Sequence, residues 1–150
     1  MAEGAGRRAG PGRAGPGRRG ALEVRLALDT NAYVDLCKGV PETVDVVERA
    51  ETVALPFAAV AELRAGFAMG RRSSENERTL RRFLLTEGVR VLYPDDQTSH
   101  HYAAVFRQLR HQGTPIPTND VWIAALVLQH NLVLHSRDRH FDSLPQILRT

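Results

Sequence analysis

The sequence predicts an α/β protein, a three-layer α/β/α sandwich around a central parallel sheet of four or five strands. Three observations predict it. Four short apolar runs of strand length alternate with stretches of helical period along the chain. A length of 150 residues suits one domain, burying about two thirds of its unfolded surface in a single core. Two of the apolar runs end at or just before an Asp, where a parallel sheet places its ligands, beyond the carboxyl ends of the strands.

Each element has its own justification. "VRLAL" (Val24 to Leu28) is a buried strand closed by "DTN", which caps a first helix running to Gly39. Pro41 opens a second helix, "PETVDVVERA", with Val44 and Val47 on its apolar side. "TVALPF" (Thr52 to Phe57) is the second strand, with Pro56 near its end, and Ala58 to Met69 is a helix stopped by Gly70. "SSENERTLRRFLLTEG" has a polar start, apolar Leu80, Phe83 and Leu84, and a stop at Gly88. Its charged face leaves it free to stand out as an exposed arm. "VRVLY" (Val89 to Tyr93) is the third strand and "DDQTSHHYAAVFRQLRHQG" a long helix. "PTNDVWIAAL" opens a helix apolar from 121 to 128 and therefore buried nearly all round, with Thr118 as its expected N-cap. "LVLH" (Leu132 to His135) completes the sheet.

Composition narrows the functional classes. One cysteine, Cys37, excludes an internal disulfide and a Cys-rich zinc site, and no apolar run is long enough to span a bilayer. A soluble, cytosolic protein is expected. The net charge of +3 is unevenly spread: Arg7, Arg8, Arg13, Arg18 and Arg19 against Glu3 put +4 in residues 1–20, leaving −1 for residues 21–150. The first twenty residues repeat Gly, Pro and Arg with few apolar side chains, so a disordered tail is expected before a domain at 21–150. That tail reads either as a misassigned start or as a nonspecific RNA-attracting arm.

Four acids stand in meaningful places. Asp29 and Asp138 follow strands; an Asp there is ordinarily a turn residue or helix cap. Asp120 lies in the first turn of the apolar helix, where the helix dipole alone is worth about 0.3–1 kcal/mol. Glu62 shares "ALPFAAVAELRAGFAM" with only one other charge, Arg64, so it reaches solvent, pairs with an arginine, or holds a cation. If the four share one crevice, repulsion is large: two like charges 4 Å apart cost about 4 kcal/mol at an effective dielectric of 20. Oxygen donors without Cys or paired His favour Mg²⁺ or Mn²⁺ over zinc.

"LDTN" (28–31), "AELRAGF" (61–67) and "GTPIPTNDVWIAALVLQHNLVLHSRDRHF" (113–141) together resemble the PIN-domain nucleases, and closely the VapC-type toxins of bacterial toxin–antitoxin pairs. The resemblance covers about residues 24–149. It implies a PIN-like fold and an acidic cluster, here Asp29, Glu62, Asp120 and Asp138, that binds Mg²⁺ or Mn²⁺ and cleaves RNA by metal-activated water, leaving a 5′-phosphate and a 3′-hydroxyl. Asp120 would then cap its helix and ligate at once. Thr30, Asn31, Asn119 and Ser136 match polar positions beside the acids and would orient them, although local turn and cap bonding explains Thr30 and Asn31 equally well. The implied partners are RNA, a cognate antitoxin that inserts a segment into the crevice, and a second copy of the chain.

RNA approaching a negative site needs local cations. Candidates are Arg110, Arg137 and Arg139, with Arg107 on the long helix and Arg71, Arg72, Arg78, Arg81 and Arg82 on the charged helix; for any one of them a solvated surface is the plainer reading. Trp122 is expected in the core rather than stacked on a base. His100, His101, His111, His130, His135 and His140 show no ligand spacing and receive no metal. A haloacid dehalogenase-type hydrolase also carries Asp after its first strand, but expects a second Asp where Asn31 stands and a basic residue, usually Lys, after a later strand, whereas the only lysine is Lys38 in the first helix. A non-catalytic interaction module remains if the acids are only caps.

Overall fold

A computed structural model describes residues 24–150, and the tail assigned to residues 1–20 lies outside the described residues. The elements follow in the expected order, with bounds close to those expected: β1 (Arg25–Leu28), α1 (Thr30–Cys37), α2 (Pro41–Arg49), β2 (Thr52–Pro56), α3 (Phe57–Met69), α4 (Ser73–Leu84), β3 (Val89–Leu92), α5 (Asp96–Gln112), α6 (Thr118–Gln129) and β4 (Val133–His135). A 3-10 turn, Arg139–Ser143, follows β4.

The four strands form one sheet in the order β3-β2-β1-β4, every pair parallel. Successive strands are joined by two helices, which cover both faces. Alternation along β1 divides the core: Leu26 and Leu28 face α1, α3 and α4, while Ala27 faces α5 and α6. Both faces are covered, which is why the strands read as unbroken apolar runs rather than alternating ones.

α6 is apolar all round because Val121 and Ile123 to Val127 are all buried. Trp122 is half-buried, edge-on to Phe57 (centroids 5.9 Å) and against Tyr102 (4.4 Å), a core position as expected. α4 is not an arm. Leu80 is 0% exposed and packs with Tyr33, Leu63 and Phe83 in the second core cluster, the Tyr33 and Phe83 rings 5.4 Å apart. Its charged face misled because only one stripe of the helix is apolar, and that stripe is enough to dock it. Gly88 ends the connection to β3 at φ +79°, with the Glu51 carbonyl 3.3 Å from where a Cβ would stand. Among the described residues no helix is long and apolar enough to cross a membrane.

Candidate active site

The strand order reverses between β1 and β4: the chain proceeds outward from β1 to β3 on one side and returns to place β4 on the other. Such a switch point opens a crevice at the carboxyl ends of the strands. Leu28 pairs with His135 there, so the next residues, Asp29 and Ser136, stand side by side.

Asp29 is 4% exposed and N-caps α1, its Oδ1 accepting from the Ala32 amide at 2.8 Å. Its Oδ2 accepts from the Ser136 hydroxyl. The Ser136 oxygen in turn accepts from the Asp138 amide at 3.0 Å. Asp138 N-caps the 3-10 turn through the His140 amide, 2.9 Å away. Both strand-end acids are therefore caps, as the plain reading has it, and both also face the crevice.

Glu62, on α3, is fixed by two groups that neighbour other acids in sequence: Thr30 Oγ1 donates to Oε2 at 2.6 Å and Asn119 Nδ2 donates to Oε1 at 2.8 Å. It does not pair with Arg64, whose guanidinium goes to Glu77 at 2.9 Å. Asp120 does not cap its helix. α6 begins at Thr118 after Pro117, with no side-chain cap, so Thr118 is the first helical residue rather than the N-cap expected. Asp120 Oδ2 instead meets the Nδ1 of His140 at 2.8 Å, and the same Nδ1 lies 3.1 Å from Asp138 Oδ1. Asn31 is exposed and joins none of these bonds.

Hydrogen bonds and chain neighbours together link the four acids. Asp29 leads through Thr30 to Glu62, through Asn119 to Asp120, through His140 to Asp138, and through Ser136 back to Asp29. Residues as far apart in sequence as Asp29 and Asp138, 109 positions, are thus linked at one end of the sheet.

Electrostatics follow from the crowding. Burial raises the Asp29 carboxyl above its ordinary range, opposed by the Ser136 and Ala32 hydrogen bonds, and the Asp138 charge raises it further. Asp120 is also raised, first by burial and then, against the His140 hydrogen bond, by the charges of Asp138 and Glu62. The His140 imidazole is raised chiefly by its hydrogen bond to Asp120. Asp120, Asp138 and His140 present ligand atoms all within 4.8 Å of one another. Hard carboxylate oxygens converging under mutual repulsion fit a small divalent cation.

The expected RNA-facing arginines differ in availability. Arg137 is engaged by Asp35, with Nε to Oδ2 at 2.9 Å, and this bond holds the Asp35 carboxyl below its usual range. Arg139 is exposed on the 3-10 turn. Arg110 is exposed in the last turn of α5, its guanidinium 5.8 Å from the Phe106 ring centroid. Gln112 ties that end of α5 to the Ser143 carbonyl at 2.9 Å.

Two residues escaped the sequence reading. His140 has no His partner at ligand spacing; its signal is its place two residues after Asp138, where a tight turn folds it back. Arg149 donates to the carbonyls of Ser136 (2.8 Å) and Asp138 (2.9 Å) and pairs with Asp142, so it braces the loop carrying Asp138. Nothing local in the sequence marks it.

Residues 26–147 match the PIN domain family. Ribonuclease VapC1 of Haemophilus influenzae (strain R2866) is 40% identical over 112 residues, which cover 71% of this chain and 81% of that protein. Ribonuclease VapC4 of Mycobacterium tuberculosis is 27% identical over 86 residues, 57% of this chain and 66% of that protein. Among solved structures, VapBC-1 from nontypeable Haemophilus influenzae superposes with a TM-score of 0.74 at 31% identity, over 85% of this chain and 97% of that one. VapBC2 from Rickettsia felis, bound to a DNA fragment from its promoter, shares the fold with a TM-score of 0.75 at 21% identity, over 85% and 98% of the two chains.

Proposed function

The chain belongs to the PIN-domain family and is of the VapC type, and on that premise we propose that it is a divalent-metal-dependent endoribonuclease, the toxin of a toxin–antitoxin pair. In this reading Asp29, Glu62, Asp120 and Asp138 hold Mg²⁺ or Mn²⁺. What supports it is the set of hydrogen bonds that links four sequence-distant acids near the switch point of the sheet, with ligand atoms of Asp120, Asp138 and His140 within 4.8 Å of one another.

When bound, the ion would neutralise charge on the scissile phosphate and lower the pKa of a water. The protein's own part is orientation. Ser136 and the Ala32 amide each take one oxygen of Asp29, and Thr30 and Asn119 each take one oxygen of Glu62. Carboxylates held in this way need no reorganisation as charge develops. Ser136 is buried with its hydroxyl on Asp29 and serves in this reading to orient that carboxylate, the reaction being hydrolysis by water, one molecule consumed per phosphodiester cut. Arg139 and Arg110 supply exposed positive charge for the RNA backbone, while Arg137 is already shared with Asp35.

By likeness to ribonuclease VapC1 the substrate is RNA, and by likeness to the VapBC structures the partner is a cognate antitoxin. The test is RNA cleavage by the purified chain with Mn²⁺ or Mg²⁺, with EDTA, and by a folded Asp29→Asn variant. Cleavage that needs the ion and disappears in the variant supports the reading. Undiminished cleavage in EDTA, or by Asp29→Asn, overturns it.

A further inference from the structure

His140 belongs to none of the four acids, yet its ring sits between two of them. The Nδ1 atom is 2.8 Å from Asp120 Oδ2 and 3.1 Å from Asp138 Oδ1. Both separations are hydrogen-bond distances, and once Nδ1 gives up its proton the three atoms, all within 4.8 Å of one another, are close enough to share one ion. We propose that His140 is a further metal ligand, a nitrogen donor that makes an otherwise all-oxygen site prefer a first-row transition ion such as Mn²⁺ to Mg²⁺. The inference rests on the reading of the four acids as a metal site and adds to it the choice of ion.

The ring is placed by the fold, although its side chain is 47% exposed. Its backbone amide donates to Asp138 Oδ1 at 2.9 Å, which fixes the start of the 3-10 turn. The next residue, Phe141, is 1% exposed and anchors the turn in the core beside α6. Arg149 holds the carbonyls of Ser136 and Asp138 on the other side of the loop. An imidazole carried on so constrained a turn presents Nδ1 to the acids rather than sweeping the solvent. Mg²⁺ keeps its waters and oxygen ligands and gains little from imidazole, whereas affinity for a site with a nitrogen donor begins at Mn²⁺ and rises along the first-row series. The nitrogen therefore discriminates between two ions that the carboxylates alone would treat similarly.

The experiment uses the full chain with ¹⁵N-labelled histidine, loaded with Mn²⁺ and observed by pulsed electron paramagnetic resonance, beside calorimetric titrations of Mn²⁺ and of Mg²⁺. Expected is a nitrogen coupling to the ion from one directly bonded imidazole, lost in His140→Ala. Expected too is a fall in Mn²⁺ affinity of about tenfold or more in that variant, the scale on which lost metal-site partners act, with Mg²⁺ affinity changed by less than about threefold. The spectrum of the wild type needs no variant, so a poorly folding His140→Ala leaves the question answerable. Mn²⁺ bound without nitrogen coupling, or a Mn²⁺ to Mg²⁺ preference unchanged in His140→Ala, overturns this inference and leaves the acids as the site. No Mn²⁺ binding by the wild type, or binding undiminished in Asp29→Asn and Asp120→Asn, overturns the underlying reading as well.

Discussion

Removing two charges from the crevice gives the most direct test of how the site is held together. The ligand oxygens of Asp120 and Asp138 lie within 4.8 Å of each other; at an effective dielectric of 20 two full charges at that separation repel by about 3.5 kcal/mol, partly offset by His140 between them. A divalent ion relieves this repulsion only in the folded chain, so it must stabilise the fold. At 100 times its dissociation constant, measured independently by titration, it adds about 2.7 kcal/mol. With about 2.1 cal/mol/K of unfolding entropy per residue, a domain of this size gains on the order of 10 °C in Tm. In the Asp120→Asn/Asp138→Asn double variant the shape is kept while both charges go. Its Tm in EDTA is expected to match or exceed that of the wild type, and millimolar Mn²⁺ should leave it unmoved. Calorimetric scans with and without Mn²⁺ decide the matter. An equal Mn²⁺ shift in both proteins, or a double variant clearly less stable than the wild type in EDTA, refutes the reasoning.

Thr30→Val keeps the shape of the side chain but deletes the 2.6 Å bond to Glu62; Mn²⁺ affinity by titration should fall about 10–100-fold, and an unchanged value would show that Glu62 is positioned by other means. Leu80→Ala empties a fully buried site between α4 and the core, so urea unfolding should show a loss of about 2–5 kcal/mol, whereas a loss under 1 kcal/mol would mean that α4 is only loosely docked. Asp95 N-caps α5 and accepts from Gln129 and the Thr98 amide, which lower its pKa in the fold, Gln129 most. A lowered folded pKa means stability that is present above the ordinary carboxyl range and lost as pH falls through the folded value. The urea midpoint in EDTA should therefore drop more steeply below about pH 4 for the wild type than for Asp95→Asn, and parallel curves would contradict the assignment.

What the sequence makes legible here is whatever depends on one element at a time. β1 and β2 read as strands because both their faces are buried, and Asp29 and Asp138 read as candidates because a parallel sheet exposes its strand ends. Partnerships across elements are harder. Arg64 looks like the natural partner of Glu62 in a linear reading, but residues two apart on a helix do not face each other, and Arg64 turns instead to Glu77 on α4. Thr118 satisfies the rules for a cap, yet Pro117, with extended backbone, holds the cap position and Thr118 is already the first helical residue. Arg137 meets Asp35 across 102 positions, a pairing no local pattern encodes. His140 fails every spacing rule for His pairs because its partners are two carboxylates, one supplied by a turn and the other by a helix.

The apolar character of α6 and the chemistry at its first turn are one design. Ala27 and Ala54 pair in the sheet, and with Ala58 and Ala59 of α3 and Ala124 of α6 they form part of a single buried cluster. Side chains this small allow helices to approach the sheet and one another at the short end of the usual 8–10 Å range. α3 and α6 pack against each other in that cluster, and Asn119 reaches Glu62 at 2.8 Å. The first turn of α6 is then fixed from below by the core and from the side by Glu62. Asp120 follows Asn119 directly, so a carboxylate that is costly to bury is carried on an element too well packed to move it away. Without that rigidity the repulsion among the acids would be relieved by separation; with it, the charges of Asp138 and Glu62 still act on Asp120, opposed within the chain by the His140 hydrogen bond.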